Sequence, residues 1–510
     1  MKQYDVIVIG GGNGGLASAA TLAEMGKNVI LFEKHNVPGG CGTSFRRGRF
    51  EFEVALHQLS HMGTKEKPGE LRKQFERYGI IDDIDWIQIK ELYRVNFPDG
   101  TGVSLPCERK ACEEYLTVAF PEDADGIKKF YNIVYKFVAE ADEFAAKSAN
   151  SVGEPNAIKK AIMKVGFPKI YPTLANYGLK SAQEVLDECF TNQKLKMAVS
   201  TYWCFMGVSP EKFPFSILAK CIVFYLEDKP FYLKGTSMMM NQAIAESIKK
   251  HGGTVKVNCG VSRLILEDGK AVGVIDENGV EYRAKKIISA ISPLATYGNL
   301  LKPEEVPMEA REYLKPYDLG ISAITCFIGL DCTPEEIGFK TSFTLNYKSL
   351  NPNKDYQDSY KLLPENDPLV ATCYTVDDPS ISPKGTSMIT AGTLKYGEDW
   401  EKLSPEEYYK AKYEAGRRIV ARLEELYPGF TSHIEEMEIA TPLTHMRYLG
   451  HPGGAIYGYV QDLRQSVFFF PNQSKIENLE FASGWVNACG FGPNYVYADN
   501  VAKRIAKEIK

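Results

Sequence analysis

The feature that most constrains the fold is a glycine-rich turn between two apolar segments at the start of the chain. The apolar run 4–9 leads into residues 10–15, which read GGGNGG, and after a helical stretch a second apolar run, 27–32, ends at Glu33. A strand, a glycine-rich turn, a helix, a second strand and an acid in this order predict a βαβ unit that binds a dinucleotide.

Each of these residues has a physical role in that prediction. Gly10 permits the tight turn, Gly12 lets a pyrophosphate approach the backbone, and Gly15 lets the helix pack against the strand. The helix N-terminus offers free amides and the positive end of its dipole to the phosphates. Glu33 can accept hydrogen bonds from a ribose diol and would repel a 2′-phosphate, so NADP is disfavoured.

A second glycine pair, Gly39-Gly40, follows the acid in the stretch from Lys34 to Ser44. This arrangement is similar to the flavoprotein group that contains amine oxidases, carotene desaturases and Rab escort proteins. It looks most like the phytoene desaturase, carotenoid isomerase and retinol saturase branch, with the strongest resemblance over residues 4–45, 236–290 and 441–505. The resemblance implies that the cofactor is FAD.

The resemblance also implies FAD contacts from later segments. Val261 is expected beside the adenine, and the glycines before the last helix are expected to offer amides to the flavin pyrimidine edge. Trp485 stands where many members carry an acid for the ribityl chain, so that contact must come from elsewhere. The candidate cofactor-binding residues are Gly10, Gly12, Asn13, Gly14, Gly15, Glu33, Lys34, Gly39, Gly40, Thr43, Ser44, Val261, Gly484, Gly492, Asn494 and Tyr495.

The expected fold is α/β, with a Rossmann-like FAD-binding domain around a parallel sheet, interleaved with an α+β substrate-binding domain of the amine-oxidase/carotene-desaturase type. A chain of 510 residues is too long for one compact core. Together with the strand, hairpin and helix signals, the resemblance implies that residues 1–110, 233–300 and 441–510 form the FAD-binding domain and that 111–232 and 301–440 form the substrate-binding domain.

By resemblance, the function is that of an FAD-dependent oxidoreductase that acts on C=C or CH–CH bonds of a hydrophobic polyene or lipid-like molecule. Saturation, desaturation and isomerisation all remain open, because the flavin supplies the redox chemistry and the protein supplies position. The middle of the chain is rich in aromatic residues, as at 202–206 and 213–215. Core packing and an apolar substrate tunnel both explain this enrichment.

His57 and Tyr495 are the candidate catalytic residues. His57 is a candidate proton donor or acceptor because histidine titrates near neutrality, and Tyr495 could donate a proton or line the pocket. Packing without catalysis is the alternative for both. Glu53, His57 and His61 are spaced four apart, as for a metal site on a helix, but no further ligand cluster accompanies them and no metal site is predicted.

Two other functions on the same fold remain as alternatives. One is a flavin amine oxidase, although no aromatic cage or lysine–water site is identifiable. The other is a non-enzymatic prenyl- or lipid-binding escort protein of the Rab GDI type, which would be expected to have a degraded FAD site. The complete glycine set and Glu33 argue against the escort protein.

Charge and composition limit which partners the protein can have. A net charge of −5 without basic blocks argues against nucleic acid, and a second GxGxxG unit is missing, so the electron donor or acceptor stays open. Eleven cysteines without a CxxC motif, and no secretory signal, indicate reduced thiols in a cytoplasmic protein. Residues 157–179 combine apolar side chains with lysines, so they could lie on a membrane surface, with ordinary core packing as the alternative.

Overall fold

The first of two large sheets is built around the N-terminal strand. The computed structural model describes residues 2–149, 166–314, 317–463, 474–486 and 489–509. Within them, six strands of this sheet follow one another, and a seventh, Leu479–Phe481, pairs beside the last residues of Glu281–Ser289. The six strands, in spatial order, are Val261–Glu267, Lys270–Asp276, Glu281–Ser289, Lys2–Ile9, Val29–Phe32 and Thr254–Lys256.

Parallel pairing brings the predicted nucleotide contacts to one edge of this sheet. Val6 pairs with Val29 on one side and with Lys286 on the other, both in parallel register. The N-terminal strand is buried on both faces, as an interior parallel strand should be. The glycine-rich turn and Glu33 therefore both lie at the carboxyl ends of neighbouring strands, where open α/β sheets bind ligands.

The second sheet has seven strands within the described ranges, and its neighbours are antiparallel except for one parallel pair, Phe343–Asn346 with Glu91–Asn96. The hairpin 91–106 thus belongs to this sheet, although the sequence assigned it to the FAD-binding domain; its sequence signals are local and do not specify a partner strand. The rest of the domain division stays a prediction. The spatial order is Ile434–Ala440, Ser322–Leu330, Ser387–Lys395, Leu369–Cys373, Phe343–Asn346, Glu91–Asn96 and Gly102–Pro106.

Alternating side chains of the second sheet face two different neighbours. Ile328 packs in a cluster with Ile419 of the long helix Pro405–Leu426. The adjacent Phe327 points the other way and contacts Phe45, with ring centroids 5.0 Å apart. The small hairpin that carries Phe45, Ser44–Arg47 with Phe50–Glu53, thereby joins the second sheet to the nucleotide-binding part.

The chain between residues 109 and 227 is mainly helical, as its sequence pattern predicts. Its helices pack against the hairpin 91–106. Capping boxes are present at Ser181 with Glu184 and at Ser404 with Glu407. No helix within the described ranges is long and apolar enough to cross a membrane. The helices are Asn13–Glu24, Glu70–Tyr78, Arg109–Ala119, Ala124–Ala149, Pro172–Tyr177, Ala182–Cys189, Gln193–Ser200, Trp203–Met206, Phe215–Glu227, Ser237–Lys250, Pro293–Asn299, Met308–Leu314, Pro334–Ile337, Pro352–Asp358, Glu398–Glu401, Pro405–Leu426, Pro442–Leu449 and Phe491–Glu508.

Candidate cofactor and substrate site

Three glycines of the first turn allow close packing of the chain on itself. Gly10 has φ +93°, which other residues rarely adopt. A methyl group on Gly15 would lie 1.8 Å from the carbonyl oxygen of Gly10, and one on Gly14 would lie 1.9 Å from that of Ala482. The helix therefore packs directly on the strand and on the end of Leu479–Phe481.

Gly12 differs from its neighbours because its face is open. A methyl group there would meet only the Cα of Gly40, at 3.9 Å. The helix Asn13–Glu24 that Gly12 precedes has no side-chain cap on its first amides. An open backbone face next to uncapped amides is a cradle that fits a pyrophosphate.

Glu33 is buried and bridges the turn to its own strand end. Its Oε2 accepts a hydrogen bond from the amide of Gly11, and its Oε1 accepts one from the amide of His35, both at 2.7 Å. The amide of Cys259 donates to the carbonyl of Glu33 at 2.9 Å, which brings half-buried Val261 close to this strand end. The Glu33 carboxylate and Val261 therefore lie at the same edge of the sheet, and the contact of Val261 with the adenine stays a prediction.

The second glycine pair lies directly on the first turn. The amide of Gly39 donates to the carbonyl of Gly11 at 2.8 Å, and a methyl on Gly40 would be 3.1 Å from the Cα of Gly12. Both Gly39 and Gly40 have positive φ. The loop that carries Gly39 and Gly40 therefore lies directly against the first glycine turn. Together they form one wall around the open face of Gly12.

The polar residues after this pair serve different purposes. The Thr43 hydroxyl donates to the carbonyl of Gly40 at 3.3 Å, within the loop. The Ser44 hydroxyl donates to Glu51 at 2.7 Å, so its hydrogen is already used in the small hairpin. Lys34 is exposed beside Gly450, where its ammonium is free of the glycine turns.

A buried network of amides and a phenol fixes these loops to the last helix. The Asn241 amide donates to the carbonyl of Gly42 at 2.8 Å, and the Tyr495 hydroxyl is within hydrogen-bonding distance of the side-chain oxygens of both Asn241 and Asn13. Tyr495 is fully buried, and burial raises its pKa well above the ordinary value. These hydrogen bonds place Tyr495 in the network that joins the cofactor loops, and its role as a proton donor stays a prediction. Asn241 is a functional candidate that sequence reasoning missed, because no motif marks it.

The last helix brings a second set of amides and an unpartnered oxygen to the site. Phe491–Glu508 begins after Gly490 without a side-chain cap. The side-chain oxygen of Asn494 is buried without a hydrogen-bond partner, and a methyl on Gly14 would lie 3.2 Å from it. The Asn494 amide nitrogen would lie 3.9 Å from a methyl on Gly484. The Asn494 oxygen is therefore available to a hydrogen-bond donor at this point.

Glu53 is a structural acid, not a metal ligand. Its two oxygens accept hydrogen bonds from the amides of Ala55 and Leu56 and from the amide and hydroxyl of Ser237, at 2.6 to 3.0 Å. Burial raises its pKa. The side chain holds the loop after its strand against the N-terminus of the helix Ser237–Lys250.

His57 faces the second sheet. Its Nδ1 lies 2.9 Å from the Thr372 hydroxyl and 3.0 Å from the Tyr374 hydroxyl, and its ring stacks on Phe343. The residue is half-buried, and the surrounding protein lowers the pKa of the imidazole to about 4. The ring is therefore neutral at physiological pH, and its hydrogen bonds at Nδ1 leave Nε2 for another partner.

His61 points elsewhere, since the segment after Glu53 is not helical. Its Nδ1 bonds to the Ser60 hydroxyl at 2.8 Å, and its ring lies 4.2 Å from that of Phe224. A methyl on Gly492 would come within 3.0 Å of its Nδ1. The side chains of Glu53, His57 and His61 thus diverge, and His61 supports the start of the last helix.

Two thiols and two phenols form a cluster beside this site. Cys41, Cys221, Tyr225 and Tyr457 each keep part of their surface accessible. Burial raises the pKa of Cys41 to about 11 and that of Cys221 to about 12, and it raises the pKa of both tyrosines above the ordinary value. Tyr457 interacts electrostatically with the other three and with Cys489. The cluster therefore presents half-buried, uncharged thiols and phenols.

Aromatic contacts connect this cluster to His57. The ring of Phe343, which stacks on His57, is 5.7 Å from that of Phe205. Phe205 contacts Tyr202 at 5.7 Å, and Tyr202 stacks on Tyr225 at 5.5 Å. A continuous row of rings therefore runs from the thiol cluster to the neutral imidazole.

His445 and Arg447 lie two residues apart on the helix Pro442–Leu449, but their side chains have different partners. His445 Nδ1 lies 3.0 Å from the Ser322 hydroxyl, and burial lowers the pKa of its imidazole to about 4. Arg447 is exposed and lies over the ring of Tyr448. The two side chains belong to different surroundings on the helix Pro442–Leu449.

Known proteins resemble this chain over nearly its whole length. A family model described as flavin-containing amine oxidoreductase matches residues 14–492. A prolycopene isomerase of Daucus carota is 28% identical, with 94% of this chain and 76% of that protein covered. An all-trans-retinol 13,14-reductase of Danio rerio is 26% identical, with 96% and 84% covered. The structure of putrescine oxidase bound to putrescine superposes with a TM-score of 0.64 at 13% identity, covering 99% of both chains.

The chain belongs to the family of flavin-containing amine oxidoreductases. It is an FAD-dependent oxidoreductase with the amine-oxidase type of fold, which confirms the predicted family, fold class and cofactor. The residues present fit FAD, because the Gly12 face is open, both helix starts are uncapped and the Asn494 oxygen lacks a donor. An escort protein with a degraded cofactor site does not match these features.

Proposed function

We propose that this member of the flavin-containing amine oxidoreductase family changes C=C or CH–CH bonds of a hydrophobic polyene or lipid-like molecule. The observation that carries the proposal is the row of aromatic and thiol side chains that ends at a neutral imidazole. The thiols of Cys41 and Cys221 stay protonated at physiological pH because burial raises their pKa values. Such a wall suits an uncharged, elongated substrate and offers no counter-charge to an ammonium group.

The relatives support the same class of substrate. One is a prolycopene isomerase and another a reductase of all-trans-retinol at its 13,14 bond. Both match this chain over at least 94% of its length, including the aromatic middle and the second sheet. We therefore propose a hydrophobic substrate for this chain as well. The experiment below decides whether the reaction is a saturation, a desaturation or an isomerisation.

His57 is the residue that we propose moves the proton. When bound, FAD supplies the two-electron chemistry at the substrate carbons. The neutral His57 ring can accept a proton at Nε2 when hydrogen is removed from the substrate. In the opposite direction the imidazolium of His57 returns this proton from Nε2 to the substrate, while its Nδ1–H donates to the Tyr374 or Thr372 hydroxyl oxygen. The surrounding aromatic rings exclude water from this transfer.

The cofactor contacts are part of the same proposal. We propose that Gly12, Asn13 and the first amides of Asn13–Glu24 hold the pyrophosphate and that Glu33 receives the ribose hydroxyls. Asn494 and the start of Phe491–Glu508 then offer donors to the flavin ring. Lys34, Thr43 and Ser44 are weaker candidates, because Lys34 is exposed and both hydroxyls already donate within the protein.

Substrate trials on the reduced and oxidised enzyme test the reaction class. Photoreduced protein is mixed anaerobically with polyenes, unsaturated fatty acids and enones, and oxidised protein with the saturated counterparts and with amines. We expect a polyene or lipid-like compound to change the flavin absorbance, or to be isomerised with the flavin reduced. Reduction of the oxidised flavin by amines alone would refute the proposal and favour an amine oxidase.

Substitution of His57 tests its role separately. We expect His57→Gln to keep the bound-flavin spectrum and to slow flavin turnover with the identified substrate by about 10²–10⁴-fold. Thr372→Val is the matched control, since Tyr374 still reaches Nδ1 and the loss should be smaller. Wild-type rates in His57→Gln would show that the imidazole only packs.

We also propose peripheral contact with a membrane near residues 166–179, as an extension of the hydrophobic-substrate proposal. Ile170 is 63% and Leu179 79% exposed, which is unusual for large aliphatic side chains near each other. The first part of the predicted segment, 157–165, lies outside the described residues. Vesicle cosedimentation should weaken for Ile170→Ser with Leu179→Ser but not for Val118→Ser, a similarly exposed control elsewhere. Equal vesicle binding by the wild type, by Ile170→Ser with Leu179→Ser and by Val118→Ser would refute the contact.

A further inference from the structure

Two strand ends of the second sheet bring an acid, a thiol and an imidazole together. Asp331 and Cys332 follow the strand Ser322–Leu330, and His433 directly precedes its antiparallel neighbour Ile434–Ala440. The amide of Asp331 donates to the carbonyl of His433 at 3.0 Å, so the two ends are joined by backbone. This site is formed by a part of the sheet that the cofactor site does not use.

The three side chains converge on one point. One ligand atom of each lies within 4.8 Å of the other two, and His433 Nδ1 is 2.8 Å from the Asp331 carboxylate. Carboxylate, thiolate and imidazole are the ligands that zinc prefers in proteins. We propose that Asp331, Cys332 and His433 bind a divalent cation of the zinc class, with water as the fourth ligand.

Exposure of the three residues fits an open, three-ligand site. Cys332 is only 4% exposed and supplies an anchored sulfur, since its carbonyl accepts a 2.7 Å hydrogen bond from the buried Ser387 hydroxyl. The side chains of His433 and Asp331 are 41% and 56% exposed. A cation can therefore enter from solvent and keep a water, while the sulfur side of the site is held rigid.

The charges around the three residues are mixed. The side chain of Asp331 is exposed, and Glu336 lies nearby on the helix Pro334–Ile337. Glu435 is also near Asp331 and is paired with Arg49 at 2.6 Å, and Arg49 itself interacts electrostatically with Asp331. A divalent cation would offset the remaining repulsion between the carboxylates of Asp331 and Glu336.

Calorimetric titration of the chelator-treated, FAD-loaded protein with Zn²⁺ tests the site. We expect one specific Zn²⁺ per chain, with release of about one proton at pH 7.5, because a cysteine thiol must lose its proton to bind zinc as a thiolate. Proton release is read from titrations in buffers of different ionisation enthalpy. Metal binding should also raise the midpoint of thermal unfolding.

Three variants decide between this site and binding elsewhere. We expect Cys332→Ser and His433→Gln each to weaken the specific affinity about 10-fold or more, and Cys332→Ser to abolish the proton release. His251→Gln, a histidine at an exposed helix end, should bind as the wild type does. Because His433 is half-exposed, His433→Gln should fold and retain its flavin spectrum. Unchanged zinc binding in both ligand variants, or no specific binding by the wild type, would overturn the proposal.

Discussion

Glu53 and Tyr495 are buried polar residues whose hydrogen bonds go to the loops around the cofactor site. Glu53 receives donors from residues 55, 56 and Ser237, and Tyr495 bonds to Asn241 and Asn13. A buried polar group stabilises the fold only while each donor has an acceptor. Removing one partner leaves the other unsatisfied and lowers the stability. Single substitutions at these positions should therefore separate positioning from catalysis.

Removing the Tyr495 hydroxyl should loosen the cofactor without changing the chemistry. Tyr495→Phe leaves the Asn241 oxygen without a donor, so we expect FAD to dissociate roughly 5–10-fold faster. The pH dependence of turnover should stay as in the wild type. Stopped-flow apoprotein exchange and pH–rate profiles measure the two, with Tyr497→Phe on the same helix as the control. A lost limb in the pH profile would restore a proton-transfer role for Tyr495.

Neutralising buried Glu53 should destabilise the fold more than neutralising its more exposed neighbour Glu51 does. In Glu53→Gln a side-chain NH₂ faces amides that need an acceptor, and we expect a loss of roughly 1–3 kcal/mol in the free energy of unfolding. Glu51→Gln, which disrupts the exposed pair with Arg46, should cost less than about 1 kcal/mol. Urea denaturation compares the two. Equal stability of Glu53→Gln and the wild type would contradict this account.

At the scale of elements, the glycine turn contains positions of two kinds. Gly15 is required by the fold, because a methyl there would meet the carbonyl oxygen of Gly10 at 1.8 Å. Gly12 has ordinary extended backbone, φ −71° and ψ −177°, and open space in front of it. The turn is therefore a structural element on one side and a binding surface on the other.

Alanine substitutions should separate these two sides. We expect Gly12→Ala to fold normally and to bind FAD at least about 10-fold more weakly, because its methyl fills the cradle of the pyrophosphate. Gly15→Ala should instead lower the stability of the apoprotein itself. Apoprotein melting temperature and FAD titration by fluorescence quenching provide the comparison. The idea fails if the apoproteins of both variants melt like the wild type and bind FAD equally well.

At the scale of the whole molecule, several titratable groups lie where the nucleotide-binding part meets the second sheet and the last helix. His57, His61, His445 and His451 are enclosed there, and burial lowers the pKa of each imidazole from 6.5 to about 4. The folded protein keeps all four neutral, whereas the unfolded chain would protonate them below pH 6.5. Acid therefore lowers the stability of the whole fold rather than that of one helix or strand.

Stability should fall on acidification between pH 6.5 and 4. In this window the unfolded chain binds more protons than the folded protein, so the free energy of unfolding rises with pH and the contribution levels off above about 6.5. Each histidine adds at most about 1.4 kcal/mol per pH unit. His61→Asn, at a position with φ +66° that asparagine tolerates, should reduce the slope. Urea titrations across this pH range measure it, with exposed His251→Asn as the control. A slope as steep in His61→Asn as in the wild type would contradict the burial of His61.

The sequence by itself determined the features whose cause is local. The glycine-rich turn, the two apolar strands and Glu33 specify the nucleotide unit, because the geometry of a tight turn and of a helix start depends on neighbouring residues. The apolar runs 261–267 and 322–330 likewise form the strands Val261–Glu267 and Ser322–Leu330. The family resemblance then supplied FAD and the type of fold.

Only the tertiary structure decided which distant segments meet. Strand Glu91–Asn96 pairs with Phe343–Asn346, and Asn241 joins the last helix, about 250 residues away in each case. His57 acquires its neutral, buried environment from residues of the second sheet, and Cys332 meets His433 across two strand ends. Sheet order and side-chain burial depend on contacts across the whole chain, so no local pattern could reveal these pairs.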